Sequence, residues 1–212
     1  MDIPSDGELT EHGLRPMGHG RILVLGCGAL AREILALTRK FDHIDLLCLP
    51  AIYHNHPEKI VPAVRNAVAR SAGYDRIFLA YADCGTGGEL ARTAEELGIE
   101  MMAGPHCFAF YQGTEDFLER ADQEFTSFYL TDFLVRQFDA FVWKPLGLDR
   151  HPELRDSYFG HYRTLVYQAQ TDDPALVEKA RDCAKRLGLG FEHRATGYGD
   201  LGAALAALAE EA

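Results

Sequence analysis

The sequence predicts an α/β protein: a three-layer, mostly parallel, doubly wound sheet of Rossmann-like or flavodoxin-like type, with a helical, aromatic-rich insertion. Two observations carry this. Short apolar runs alternate with longer amphipathic stretches, the pattern of successive strand–helix units. Connections of that length force right-handed crossovers and parallel strands with helices on both faces. The length of 212 residues suits one such domain with a core large enough to need no disulfides.

The elements follow in order. The first strand is Arg21–Leu25, and a helix runs from Ala29 to Lys40 with Ile34, Leu35 and Leu37 inward. The second strand, Ile44–Leu49, is closed by Pro50. After the loop His54-Asn55-His56, Pro57 suits the first turn of a helix reaching towards Ser71. The third strand is Arg76–Tyr81, followed by the turn Asp83–Gly88 and a helix over Glu89–Leu97 that Gly98 caps. The fourth strand, Ile99–Ala103, breaks at Gly104-Pro105. Residues 107–145 are aromatic-rich with near-helical spacing and read as an insertion or cap. A short helix over Asp156–Arg163, a fifth strand Thr164–Ala169, a helix Pro174–Leu187, a sixth strand Gly190–His193 and a closing helix Leu201–Glu211 complete a single domain over 19–212. A strand order containing 2-1-3-4 is expected. It sets the first, third and fourth strands side by side, with the outer two about 10 Å apart.

Charge and composition exclude several classes. The formal net charge of −11 repels phosphate backbones and anionic lipid, so neither nucleic acid nor a membrane surface is an expected partner. No apolar run is long enough to span a bilayer. Residues 1–18 carry Asp2, Asp6, Glu8 and Glu11 with no apolar stretch, and read as a flexible lead-in rather than a signal peptide. A cytoplasmic location is expected. With five cysteines, an odd number, free thiols, metal binding or catalysis outrank disulfides.

In a parallel sheet, ligands bind where the strands end. Gly26-Cys27-Gly28-Ala29-Leu30-Ala31 fits a permissive dinucleotide fingerprint. The acid that would hold a ribose at the end of the second strand is missing, since Asp45 stands at its start. NAD is therefore not expected, and Gly28 reads first as a residue that permits a tight turn. The glycines from Gly85 onward free backbone N–H groups to face an anion, making Gly85 a cofactor-binding candidate with Gly28 and Thr131.

The stronger signal is cysteine. Cys27, Cys84 and Cys107 each follow a strand, so a parallel sheet brings all three to one edge. They are the candidate metal ligands, for zinc or an iron–sulfur cluster. The competing reading is that cysteine packs as a small hydrophobe, and it is preferred for Cys48 and Cys183. His54 is a candidate base or fourth ligand, against a role in capping the next helix; His56 reads as surface. Asn55 and Glu33 complete the catalytic candidates, although Glu33 also reads as an ordinary exposed helix acid. The aromatic segment, with Thr131 and Asp132, is placed to roof the site. A metal-free thiol nucleophile with His106 beside Cys107 is the remaining alternative.

Cys27-Gly28-Ala29-Leu30 with Glu33, His54-Asn55-x-Pro57, Tyr81-x-x-Cys84-Gly85, Cys107 and Phe128-Tyr129-Leu130-Thr131 together resemble an uncharacterised bacterial and archaeal family known only as a domain of unknown function. The resemblance spans about Arg21 to Leu208. A glycine would be expected where Ala82 stands. Members are often met near corrinoid-dependent methyltransferase systems for methylated amines. The resemblance thus implies a small-molecule substrate, one-carbon or methyl-group transfer, and a corrinoid protein or methyltransferase as partner. A non-catalytic protein that binds or delivers a metal or corrinoid is the alternative.

Overall fold

The computed structural model describes residues 4–210. Strand β1 (Ile22–Cys27) is buried along its whole length and lies at the centre of a four-stranded parallel sheet. Its neighbours are β2 (Ile44–Leu49) and β3 (Arg76–Ala80), and β4 (Glu100–Met101) pairs outside β3. The order β2-β1-β3-β4 is the one expected. Its crossover helices are α2 (Ala31–Thr38), α3 (Ile60–Ala69) and α4 (Glu89–Leu97). Gly98 ends α4 with φ +65°, in the left-handed region that favours glycine.

Before β1 stands α1 (Asp6–Glu11), and it differs from the free lead-in expected over residues 1–18. Ser5 and Glu8 form a reciprocal capping box, Leu9 is fully buried, and Leu14 exchanges two backbone hydrogen bonds with Cys48. Polar composition hid one apolar face and a well-capped turn. Residues 1–3 lie outside the described residues.

A second, three-stranded parallel sheet follows in the order β5-β6-β7. Strand β5 (Ser127–Leu130) lies inside the segment read as a helical insertion. That segment is otherwise helical: α5 (Cys107–Gln112), α6 (Thr114–Arg120), α7 (Asp132–Arg136) and a π-turn over Asp139–Trp143. Then come α8 (Arg155–Phe159), β6 (Thr164–Ala169), α9 (Pro174–Leu187), β7 (Gly190–Ala195) and α10 (Gly199–Glu210). The parallel strands thus divide between two sheets. β4 has only two residues before Gly104-Pro105, and β5 pairs with β6 instead of extending the first sheet. Helix α10 packs against both α2 and α5, placing Leu201, Leu205 and Leu208 in the common core. Among the described residues no helix is long and apolar enough to cross a membrane.

Candidate functional site

The first cysteine comes straight off the central strand. Cys27 is buried, and its Sγ accepts the Ala29 N–H at 3.5 Å as the chain turns into a 3-10 turn over Gly28–Leu30. Gly28 is there for packing: a Cβ would lie 2.4 Å from the Leu9 carbonyl oxygen of α1 and 3.1 Å from the Leu49 carbonyl. That is the steric reading of the fingerprint glycine rather than the cofactor reading.

The second and third cysteines are brought together by two loops that bond to each other. The N–H groups of Asp83 and Cys84 donate to the carbonyls of Gly104 and Pro105, each at 3.1 Å. Cys84 has φ +48°, the one positive value among described non-glycine residues. This backbone is costly for a residue with a Cβ. The Gly104-Pro105 break then starts α5 at Cys107.

Cys27, Cys84 and Cys107 border one small cavity of about 20 Å³, together with Ala29, Leu30, His54, Tyr81 and Ala82. The Tyr81 hydroxyl is buried there without a hydrogen-bond partner. Sequence reading passed over Tyr81 as a site residue, although it directly ends the third strand. Desolvation pushes all three thiols up, and their mutual repulsion adds to it for Cys84 and Cys107; Cys107 reaches about 12. At neutral pH the thiols are therefore protonated. Among the described residues no three His, Cys, Asp or Glu side chains stand close enough together, as placed, to hold a metal ion. Cys48 and Cys183 are buried inside β2 and α9 and do not border this cavity, although Cys48 sits on the strand beside Cys27 and, after desolvation, raises the Tyr81 hydroxyl with it.

The histidines separate cleanly. His54 borders the cysteine cavity, whereas His106 does not. His106 instead lines the larger neighbouring pocket together with His54, and a second pocket on its loop. Desolvation, and then His106, lower the pKa of His54 and keep its ring neutral. His56 is a surface residue beside Glu58, 3.5 Å away. The Asn55 amide reaches the Phe141 carbonyl at 3.5 Å, tying this loop to the π-turn.

Glu33 is not an exposed helix acid; it is only 4% exposed. Asp6 of α1 accepts from Arg32 at 2.8 Å and Arg136 at 2.7 Å. One Glu33 carboxylate oxygen is left buried without a partner, although both arginines remain close enough to act on it. Desolvation raises its pKa to about 7, despite partial relief from Arg136. The Asp132 charge adds to the shift, and Glu33 itself helps raise the Cys107 thiol.

Two further candidates hold the scaffold. Thr131 caps α7, its oxygen accepting the Leu134 N–H at 3.4 Å. Asp132, fully buried, accepts from the Tyr167 hydroxyl, the Gln170 and Thr171 N–H groups and the Thr171 hydroxyl, and so fastens the end of β5 to that of β6. The amides after Cys84 are not free for an anion. Gly87 and Gly88 donate to the Asp83 carboxylate at 3.2 and 2.7 Å, and the Thr86 hydroxyl donates at 2.7 Å. Against desolvation, these bonds hold the Asp83 carboxyl below its ordinary range. Gly85 has φ +84°, and a Cβ there would lie 3.4 Å from the Pro57 ring.

Beside the cysteine cavity opens a pocket of about 660 Å³ lined by the aromatic segment. His54 belongs to both walls.

These features define a parallel-sheet α/β protein with a thiol-lined cavity where the strands of its first sheet end. The chain belongs to the family described as "Protein of unknown function (DUF1638)", whose model matches residues 48–205. No curated protein matches it. Among solved structures, the type II thioesterase BorB from the borrelidin biosynthetic cluster aligns at 18% identity over 92% of this chain and 94% of that one. The TM-score of 0.32 is too low to carry an argument about fold or activity.

Proposed function

We propose that Cys27, Cys84 and Cys107 hold a single metal ion at the carboxyl ends of β1, β3 and β4, and that the chain is a metal-dependent enzyme for a small molecule. The observation that carries this is one enclosed cavity bordered by all three thiols and an unpartnered tyrosine hydroxyl. A cavity of about 20 Å³ is the size of one water or one ion. That size favours zinc over an iron–sulfur cluster. Loading requires the thiols to lose their protons and turn inward, so it releases protons and strengthens with pH. A zinc ion held by these three thiolates would leave room for a fourth ligand and would lower that ligand's pKa. Tyr81 supplies a hydrogen bond to a thiolate, and neutral His54 can take a proton from a group arriving through the larger pocket. One-carbon or methyl-group transfer, with a corrinoid protein or methyltransferase as partner, follows from the family resemblance. The enclosed cavity favours catalysis over metal or corrinoid delivery, which would call for an exposed cluster.

The test is elemental analysis and an optical spectrum of protein purified without air and reconstituted with zinc. About one metal per chain is expected, falling severalfold in Cys27→Ser, Cys84→Ser and Cys107→Ser. Cys48→Ser and Cys183→Ser should keep it. Equal metal content across all five variants would sink the proposal.

A further inference from the structure

The larger pocket carries information about what the protein binds. Its volume of about 660 Å³ lies in the range of small-molecule sites, which are concave and mostly apolar with a few polar groups. Two groups of rings border it. Phe108 and Phe117 flank Tyr129 at centroid distances of 5.5 and 5.6 Å, and Phe159 and Tyr162 flank Phe128 at 5.2 and 5.7 Å.

The charge around it is equally specific. Among the described residues no lysine or arginine lines the pocket, so none of them would pair there with an anion. The acid in its wall, Glu124, is already taken: Arg194 donates to it at 3.0 Å and the Tyr129 hydroxyl also donates. An ionic ligand would lose its hydration here and gain no partner. What remains for polar recognition is the set His54, Asn55, His106 and Ser127.

We propose that this pocket binds an uncharged, ring-bearing small molecule, apolar over most of its surface, with one polar edge presented to His54. Since His54 also borders the thiol cavity, a ligand so placed puts that edge next to the cysteines. Its role as a substrate rests on the metal-site reading; its binding does not.

The experiment uses the full chain and two fluorescent probes of similar size. One is the neutral 6-propionyl-2-dimethylaminonaphthalene and the other is anionic 8-anilinonaphthalene-1-sulfonate. The neutral probe should bind saturably at one site, with a blue-shifted emission and at least about tenfold tighter than the anion. Ala121→Trp alters an exposed position on the wall, and Leu146→Trp fills the pocket from its turn. Either should weaken the neutral probe by about tenfold or more while circular dichroism stays unchanged. The unaltered chain decides the matter if a variant misfolds: no saturable site, equal affinity for the anion, or displacement of the probe by self-association through exposed Phe125 overturns the proposal. Cys27→Ser should lose zinc and keep the probe. Probe binding without zinc in the unaltered chain removes the metal reading alone; zinc without probe binding removes this one alone.

Discussion

Glu33 shows how far burial can depart from a residue's type. Its carboxyl pKa rises from 4.5 to about 7, chiefly by desolvation. An acid with a raised folded pKa binds more protons folded than unfolded. The favourable contribution is complete below about pH 4.5 and is lost as pH rises through about 7, a difference of roughly 3 kcal/mol. Glu33→Gln removes the titration. Urea melts should show the variant close to the unaltered chain at pH 4.5 and more stable at pH 8; a constant gap at both would show that Glu33 does not titrate this way. None of this was legible in the sequence, because Glu33's burial depends on elements packed over α2 that are distant in the chain. The convergence of the cysteines was legible, since Cys27 ends β1, Cys84 and Cys107 come after β3 and β4, and the strand order could be argued.

At the scale of elements, α1 behaves as part of the first sheet's packing. Its Leu9 carbonyl lies so close to Gly28 that a Cβ there would meet it at 2.4 Å. Gly28→Ala should therefore cost about 2 kcal/mol or more, and hydrogen exchange should show α1 released before the strands. Exchange rates in α1 unchanged from the unaltered chain would contradict this. Strands β2 and β6 and helices α4 and α9 matched their expected bounds, each having clear periodicity and an end signal such as Pro50, Gly98 or Gly188. Strand β5 escaped notice for a physical reason. Four residues are too few to establish a period of two, and the surrounding phenylalanines repeat near helical spacing. Missing it hid the second sheet.

For the whole molecule, α10 is the connection that matters. It buries Leu201, Leu205 and Leu208 while touching α2 of the first sheet and α5, which leads to the second. Urea unfolding followed by Trp143 fluorescence and by far-ultraviolet circular dichroism should give coincident transitions. Deleting the chain from Gly199 onward should lower both midpoints and pull them apart, because the two sheets lose their common partner. Coincident, unshifted transitions in the shortened chain would show that the sheets are joined elsewhere.

The turn after β3 has a consequence for selectivity. Phosphorylated metabolites are abundant in cells, and a strand-end turn rich in glycine amides is the kind of backbone that gathers them. Here Asp83 plays the anion itself, occupying the Gly87 and Gly88 amides from within the chain. A nucleotide arriving at this edge meets a carboxylate already seated, on a molecule of formal charge −11. The turn therefore presents no open cradle of amides to an anion, because its own carboxylate already fills it.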